Sequence, residues 1–357
     1  MNLPNHIFSG YWKEGHVQGI QVDPQRVFVY YSFTTILVKT DLEGNPIASV
    51  KNLIGHLGCI AFDCEKNRLY GSLELKHDII GQEIMERTGI ALAEEDAFYL
   101  VSFELDKLVR MDMDAEKDGI MRAVYVRDVV KDYSGKDDHS GKSGRYGCGG
   151  MDGVSVGPIF GTGKNGPRKI MLAEGIRGDV DRTDNDHQVL LQYDPSIFDA
   201  YGKPLDQLHP HHSGPASCEV RYFFYTGNTT WGIQNLEYDP STGYWFVAVY
   251  PGVKPEFENF SMFAIDGNIP AVFAALEGRG GETGLLLTSA KIGKGQKGDR
   301  IYGTHFEWGS TGIAALGDGQ FYISHNGQSE DRTTQYTNVK LYRFTPKDSE
   351  WFLLEKA

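Results

Sequence analysis

The sequence predicts an all-β fold built from a repeated, four-stranded antiparallel unit. Two sequence markers recur along the chain. The first is a strand that leads into a turn and has apolar residues at every second position, as a half-buried strand requires. In the second, a later apolar run of the same unit ends at an aspartate. The chain of 357 residues contains 43 glycines and is 12% aromatic, a composition typical of short strands and tight turns. The first marker occupies residues 18–23, 58–63, 152–157, 234–239 and 311–317, and the second ends at Asp41, Asp106, Asp194 and Asp266.

The first repeat, residues 16–54, shows the whole unit. Its predicted strands are residues 18–23, 27–33, 36–41 and 47–53. Gly44 lies in the turn before the fourth strand, where it supplies the positive φ of a hairpin turn. Four antiparallel strands in about 40 residues form a unit that cannot bury its apolar face alone and must stack on its neighbours.

The later repeats follow the same order but carry insertions. Residues 76–96 interrupt the second repeat, and Ile, Met and Leu at helical spacing predict a short helix over residues 80–92. Residues 131–150 are rich in Gly, Ser, Lys and Asp without periodicity, which predicts a surface loop. The remaining repeats are predicted at residues 56–130, 148–226, 231–300 and 309–357, with residues 1–15 as a possible ring-closing strand.

These features together resemble a β-propeller. The resemblance covers nearly the whole chain and rests on two markers that recur in the same order, so it implies an architecture and names no specific family. It implies a single propeller domain over residues 1–357, with five blades. Six blades is the alternative, if one long insertion conceals a divergent repeat.

Charge and composition limit the partners of the protein. The net charge is −13 and the pI near 5.3, which argues against nucleic acids and anionic membranes and is compatible with cations or neutral ligands such as sugars. The four cysteines show no metal-ligand spacing, so they are expected to be free, buried thiols of a cytoplasmic protein. A secreted or periplasmic protein whose signal peptide has been removed is the alternative. No phosphate-binding or dinucleotide-binding motif stands between a strand and a helix, so no nucleotide cofactor is predicted. The oligomeric state is not predicted.

One face of the predicted propeller gathers the insertions. They follow the second strands of the repeats, whereas the turns at the opposite ends are short, and long loops on one face of a scaffold mark its functional face. The starts of the inner strands bring His16, Gln18, His56, Asp152, Trp231 and Gln234 to this face. The ends of the second strands bring Tyr31, Glu74, Glu174, Tyr250, His325 and Asn326.

This set of residues has both a chemical and a structural interpretation. Convergent carboxylates need a cation, a hydrogen-bond donor or a raised pKa. Glu74, Asp152 and Glu174 could therefore hold Ca²⁺ or another divalent metal. On the structural interpretation, polar groups at strand starts hydrate the channel, Asp152 caps a turn and Trp231 packs against its neighbours.

Three convergent acids favour an enzyme over a binding module. The predicted function is that of a hydrolase or lyase acting on a small polar, carbohydrate-like molecule at the mouth of the channel. Glu74, Asp152 and Glu174 would divide the acid, base and orienting roles, or hold a metal, and His325 would move protons. The other polar and aromatic residues of the face would bind substrate, and Glu174→Gln is expected to abolish activity or metal binding. The alternative is a non-catalytic propeller that binds a ligand or a protein.

Overall fold

Five small sheets arranged around a central channel form a five-bladed β-propeller, which confirms the predicted fold class. The computed structural model describes residues 3–347 and 350–355. In each blade the inner strand lines the channel and the following strands lie progressively further out, in antiparallel order. Apolar clusters fill the spaces between neighbouring blades, with the side chains of Trp245 and Trp351 fully buried there.

The first blade follows a three-residue strand, β1 (His6–Phe8). Its own strands are β2 (Val17–Val22), β3 (Phe28–Phe33), β4 (Ile36–Asp41) and β5 (Pro46–Lys51). These are the four strands expected from the first repeat. The turn before β5 contains Gly44 at a φ of 86°, in the left-handed region where glycine is favoured.

The second blade contains the predicted helical insertion. Its strands are β6 (His56–Asp63), β7 (Arg68–Leu75), β8 (Ala97–Glu104) and β10 (Met121–Tyr125), while β9 (Met113–Asp114) pairs in parallel with β5 of the first blade. Helix α1 (Ile79–Thr88) lies between β7 and β8. It ends before residue 92 because Gly89 adopts a φ of 71° and its N–H caps the Met85 carbonyl.

The third blade begins after a second helix, α2 (Arg127–Ser134), so the first four residues of the surface loop predicted over 131–150 are helical. The blade strands are β11 (Cys148–Pro158), β12 (Arg168–Ile176), β13 (His187–Tyr193) and β14 (Val220–Tyr225), with α3 (Ile197–Ala200) before β14. Short 3₁₀ turns occupy Leu105–Lys107 and Arg145–Gly147.

The fourth blade contains an excursion that crosses back to the third. The strands from this part of the chain are β15 (Thr229–Asp239), β16 (Tyr244–Pro251), β17 (Met262–Asp266), β18 (Val272–Ala275), β19 (Thr283–Leu286), β20 (Lys294–Gln296) and β21 (Ile301–Thr304). β19 pairs in parallel with β14, and β18 pairs with β19. The predicted fourth repeat, residues 231–300, therefore contributes to two sheets, because the outer edge of β14 accepts the excursion as additional strands.

The fifth blade joins both ends of the described chain. Its strands are β22 (Ile313–Ala315), β23 (Gln320–Gln328), β24 (Gln335–Lys347) and β25 (Glu350–Leu354). β1 pairs with β24 from His6 opposite Lys340 to Phe8 opposite Asn338, and β25 pairs with another part of the same strand. The possible ring-closing segment at the N-terminal end therefore pairs with the last blade.

The turn aspartates that mark the repeats organise their turns through hydrogen bonds. Asp63 accepts the backbone N–H groups of Glu65 and Lys66 and the hydroxyl of Tyr70. Asp239 is fully buried and accepts hydrogen bonds from the backbone and hydroxyl groups of both Ser241 and Thr242. A short side chain that accepts N–H groups two or three residues later is the typical device of such turns.

The four cysteines are free, with Cys59 and Cys148 buried, Cys218 partly buried and Cys64 exposed in the turn after β6. The expectation of buried thiols therefore fails at Cys64. The described part of the chain contains no helix with the length and apolarity of a membrane span.

We expect Asp239→Ala to lower the free energy of unfolding by roughly 2–3 kcal/mol, because it leaves the four backbone and hydroxyl donors of the turn without the buried, charged acceptor they share. Urea unfolding followed by tryptophan fluorescence measures this change. Asp266→Ala is the matched control, since among the described residues the Asp266 carboxylate accepts hydrogen bonds only from the exposed Asn268. Equal losses in the two variants would contradict the role assigned to Asp239.

Candidate functional site

A cavity of about 190 Å³ opens at the channel mouth on the face that carries the insertions. It is lined by eight residues predicted from the sequence: His16, Gln18, His56, Glu74, Asp152, Trp231, Gln234 and Tyr250. They come from the inner strands of four blades and from the ends of second strands. The predicted convergence of these residues at one face is therefore present in the structure.

Irregular pairing at the start of the inner strands turns these side chains towards the cavity. Register shifts occur near the mouth between Val17 and Gly19, Leu57 and Ile60, Cys148 and Gly150, and Thr230 and Ile233. A bulge re-aims the side chains beside it and is common next to binding sites. Strict alternation along the strands would have sent some of these residues to the opposite face.

The chemical centre of the cavity is a group of three side chains, His56, Glu74 and Asp152. The His56 Nδ1 atom lies 3.3 Å from Glu74 Oε2 and 3.7 Å from Asp152 Oδ1. Gln234 Nε2 donates to the other Asp152 oxygen, Oδ2, at 3.2 Å. Asp152 Oδ1 is buried and has no hydrogen-bond partner among the described residues. One carboxylate oxygen in the cavity wall is thus available to exchange a proton.

Lys76 is the functional residue that the sequence interpretation missed. Its Nζ lies 2.8 Å from Glu74 Oε2 and 3.1 Å from Asp78 Oδ2, and it donates to the Gly149 carbonyl at 3.3 Å. Glu74 and Lys76 are two residues apart at the end of β7, so both project from the same side of the strand. The two-residue spacing of Glu74 and Lys76 is the signal in the sequence that places both side chains at the same site. Lys76 is also the first residue of the insertion, which hides this signal.

The glycines beside Glu74 and Asp152 allow the close approach of neighbouring chains. Glu74 Oε1 accepts the backbone N–H of Met151 at 2.6 Å. A Cβ atom at Gly150, where φ is 130°, would lie 2.2 Å from that same carboxylate oxygen. A Cβ atom at Gly58 would lie 2.7 Å from Asp152 Oδ1. Larger residues at these two positions would displace the carboxylates from the cavity wall.

The surroundings push the pKa values of the two carboxyl groups apart. Burial raises the pKa of Asp152 to about 7, and the nearby Glu74 charge adds to this effect. Burial also acts to raise the pKa of Glu74, but the Lys76 ammonium and the hydrogen bond from His56 outweigh it and hold that pKa below its usual value. One carboxyl group can therefore hold a proton near neutral pH while its neighbour stays ionised, as in acid–base sites.

The two histidines of the cavity are shifted in opposite directions. Burial acts to lower the pKa of His56, but the carboxylates of Glu74 and Asp152 outweigh it and raise that pKa. Burial, followed by the charges of His56 and Arg87, lowers the pKa of His16 to about 4. His16 is consequently neutral at pH 7, and its Nε2 is 2.9 Å from Gln18 Nε2. The two repeat-equivalent histidines therefore have different electrostatic surroundings.

The rim of the cavity carries an exposed tryptophan in a strained conformation. Trp231 is 42% exposed and has a φ of 65°, and Gly232 follows it at 76°. A non-glycine residue in this region costs about 1–3 kcal/mol and occurs often at binding sites. The Trp231 carbonyl accepts a hydrogen bond from Gln234, the residue that also holds Asp152. Gln234 thus links the backbone of Trp231 to the Asp152 carboxylate by hydrogen bonds.

Helix α1 covers one side of the cavity. Asp78 caps its first turn by accepting the Gly81 N–H, and the same carboxylate pairs with Lys76. The helix contributes Ile80, Glu83, Ile84 and Arg87 to the lining. Within the described residues, no carboxylate lies within 4 Å of the Arg87 guanidinium. The predicted insertion is therefore a wall of the site that supplies both apolar and charged groups.

The structure places Glu174 outside the cavity. Its side chain is fully buried beside Asp132 and Arg221, with the Arg221 Nη2 atom 3.9 Å from Glu174 Oε1. Arg221 pairs more closely with Asp132. Burial and then the Asp132 charge raise the pKa of Glu174 well above its usual value. Glu174 is thus part of a buried cluster behind the blade wall, because its side chain and that of Glu74 point to different surroundings despite their equivalent repeat positions.

Three further predicted residues do not line the cavity. Tyr31 is completely buried in the core between the first and fifth blades. His325 stacks on Trp308 with ring centroids 3.9 Å apart and hydrogen-bonds the Tyr342 hydroxyl at 2.9 Å. Asn326 is exposed and accepts a hydrogen bond from the Thr311 hydroxyl. Protein contacts account for His325 and Asn326, whereas the buried Tyr31 hydroxyl has no hydrogen-bond partner among the described residues.

The residues proposed as metal ligands do not fit a divalent cation in this arrangement. Glu174 is separated from the other two carboxylates, and the Lys76 ammonium already occupies the space between Glu74 and Asp78. Across residues 3–347 and 350–355, no group of three His, Cys, Asp or Glu side chains is placed to hold a metal ion.

Comparison with known proteins gives no family for this chain. No protein-family model matches it, and no curated protein matches it. Its fold is similar to that of the α-L-arabinanase of Cellvibrio cellulosa solved with arabinohexaose, at 9% identity and a TM-score of 0.41 over 99% of this chain and 96% of that one. It is also similar to the PQQ domain of pyranose dehydrogenase from Coprinopsis cinerea, at 12% identity and a TM-score of 0.34 over 90% and 81% of the two chains. The Dos1 propeller is 12% identical, with a TM-score of 0.33 over 95% and 81%.

Two substitutions are expected to move the pKa of Asp152 in opposite directions. Glu74→Gln removes a neighbouring negative charge and should lower it, whereas Gln234→Leu removes a hydrogen bond to the ionised form and should raise it. A ¹³C NMR titration of aspartate carboxyl groups measures both shifts, with Asp152→Asn identifying the resonance. Shifts of the same sign in the two variants would contradict the arrangement of charges described above.

Proposed function

We propose that the protein is a hydrolase or lyase that acts on a small polar, carbohydrate-like molecule in the cavity at the channel mouth. The observation that carries the proposal is the buried Asp152 carboxyl group, whose Oδ1 atom lacks a hydrogen-bond partner among the described residues. Its pKa of about 7 keeps a substantial fraction of it protonated at neutral pH. A group with these properties is suited to general acid catalysis.

In this proposal the three central residues have separate roles. Asp152 donates its proton to the leaving oxygen of the substrate as the bond from that oxygen to carbon breaks. In hydrolysis, water bonds to this carbon and its released proton returns to Asp152, whereas in elimination the returning proton is the one lost from the adjacent carbon. Glu74 stays ionised and acts as a positioning residue, since its oxygens are held by Lys76, His56 and the backbone of Met151. The His56 ring then presents Nε2 to the substrate, because Nδ1 is directed towards the two carboxylates. Positive charge on His56 would stabilise negative charge that develops on a reacting oxygen.

The size and lining of the cavity support a small, hydroxyl-rich substrate. A volume of about 190 Å³ is below the roughly 300–1,000 Å³ of sites for drug-sized ligands. The Trp231 indole offers an exposed aromatic face, while Gln18 and Gln234 offer amides that can both donate and accept hydrogen bonds. Apolar faces beside amide groups match the alternating C–H and O–H surfaces of a sugar.

A non-catalytic binding module is the second candidate. The observation in its favour is the exposed, strained Trp231 at the rim, which would hold a ligand whether or not chemistry followed. The two candidates differ in what they require of Asp152. A binding module needs only its hydrogen-bonding capacity, which asparagine keeps, whereas general acid catalysis needs its proton.

We expect Asp152→Asn to reduce turnover by about 10²–10⁴-fold, the usual contribution of general acid–base catalysis. A screen of chromogenic glycosides, lactones and phosphoesters identifies the reaction, and the rate of the wild type should fall as the pH rises through about 7. Glu174→Gln is the matched control and should retain activity, since Glu174 lies outside the cavity. If no compound is turned over but Asp152→Asn still binds a sugar on a glycan array as the wild type does, the binding module is the correct function.

Asp152→Asn should also change the pH dependence of stability. The folded pKa of Asp152, about 7, is raised above the usual value of 3.8, so its ionisation destabilises the folded protein as the pH rises through this interval. We expect the stability of the variant relative to the wild type to increase by roughly 2–3 kcal/mol between pH 5 and pH 8. Urea unfolding at both pH values measures the change, and a constant difference would show that Asp152 is not buried with a raised pKa.

A further inference from the structure

A second and larger cavity of about 380 Å³ lies at the opposite end of the propeller. It is formed by the ends of the inner strands of all five blades and by the turns that follow them. Its polar and charged lining residues include Gln21, Arg26, Arg168, Glu237 and Tyr238. Its lining contains no histidine and none of the residues assigned to the first site, so the two cavities are chemically distinct.

Arg168 supplies positive charge to this cavity without being neutralised. Its Nη2 atom donates to the Val156 carbonyl at 2.7 Å, which fixes the side chain. Its Nε atom is buried and has no hydrogen-bond partner in the described part of the chain. No carboxylate among the described residues lies within 4 Å of its guanidinium. A partly buried arginine with free donors is a favoured ligand for oxyanions.

Tyr238 provides a second unused donor beside Arg168. The residue is 6% exposed, and its hydroxyl is buried without a hydrogen-bond partner among the described residues. The Arg168 guanidinium carbon lies 6.0 Å from the centre of the Tyr238 ring. Buried polar groups in folded proteins are nearly always paired with protein or water. Two neighbouring unsatisfied donors in one cavity wall therefore point to a ligand with acceptor oxygens.

The acidic groups of this cavity do not neutralise the positive charge of Arg168. Glu237 accepts hydrogen bonds from Gln21 Nε2 at 2.9 Å and from the Ala315 N–H at 2.8 Å. Burial raises its pKa to about 8, so it is largely uncharged at neutral pH. Asp23 is occupied by the backbone N–H groups of its own turn. Glu65, the remaining acid of the lining, is exposed at the rim, where solvent screens its charge.

A second arginine stands at the rim of the same cavity. Arg26 donates to the Leu316 carbonyl at 2.6 Å and pairs with Asp318 at 2.7 Å. This pair is partly exposed, with about a third of the Arg26 side chain accessible to solvent. Arg26 is therefore already neutralised, and Arg168 is the cation available to an incoming anion.

We propose that this cavity binds a small oxyanion, with Arg168 and the Tyr238 hydroxyl as its principal donors. The anion can be a phosphate or a carboxylate, since both present two or more acceptor oxygens to a guanidinium. The site is independent of the proposed catalytic site and would exist whether or not that assignment is correct. It also provides a specific partner for a protein whose overall negative charge disfavours anions elsewhere on its surface.

Isothermal titration calorimetry at pH 7 with inorganic phosphate and, separately, with malonate tests the proposal on the full chain. Binding of phosphate alone, malonate alone or both supports it and identifies the source of the anion. Arg168→Gln should weaken binding at least tenfold. The matched control is Arg87→Gln, because Arg87 is also an unpaired, partly buried arginine but lines the other cavity. Binding that is absent in the wild type, unchanged in Arg168→Gln, or lost only in Arg87→Gln would overturn the proposal.

A second variant keeps the test decisive if Arg168→Gln does not fold. Tyr238→Phe removes only a hydroxyl that has no partner among the described residues, so it should preserve the fold and weaken anion binding several-fold. Unchanged affinity in this variant would also overturn the proposal. Arg343→Gln, which alters an exposed arginine paired with Glu355, shows the effect of removing one surface charge and should leave the affinity unchanged.

Discussion

The candidate site depends on how the protein stabilises one buried carboxylate, that of Glu74. A carboxylate away from water is costly unless charge and hydrogen bonds compensate it. Here the compensation comes from the Lys76 ammonium, the His56 ring and the Met151 N–H, which belong to two different blades. Burial raises the pKa of Asp152, and the negative charge thus fixed beside it raises that pKa further. A single electrostatic arrangement therefore joins the blades at the channel mouth and prepares the group that would exchange a proton.

The sequence predicted the architecture because its information on strands is local. Alternating apolar residues repeat in every blade and marker aspartates in four of the five, and the aspartates of β6 and β15 do hold their turns through short-range hydrogen bonds. The crossing of residues 272–286 to the third blade could not be predicted in this way. It depends on the free outer edge of β14, which is a property of the assembled sheet and leaves no periodic signal in the sequence.

The sequence predicted the location of the candidate site better than it predicted which residues form the site. Strand starts and the ends of second strands indicated the correct face, and eight of its residues line the cavity. Glu174 was assigned by its equivalence to Glu74 in the repeat, but bulges at the inner strands give the two positions different neighbours. Lys76 and Arg87 were missed because an insertion that folds over a site is indistinguishable, in the sequence, from one that extends into solvent. Arg168 was missed because a lone arginine in a strand gives no sign that it lacks an ion-pair partner.

The pairing of β1 with β24 has a consequence for how the protein is made. His6 and Lys340 are opposite one another in the sheet although more than 300 residues separate them in sequence. During synthesis β1 leaves the ribosome long before β24 has been translated. The apolar side chain of Ile7 and the edge of the strand therefore remain exposed to solvent until the fifth blade has been made. Contacts of such wide separation also slow folding, because their loop-closure entropy is lost before any stabilising contact forms. The ring is consequently closed only after β24 has been translated, and nascent chains that stop short of β24 would retain an open blade edge of the kind that chaperones recognise.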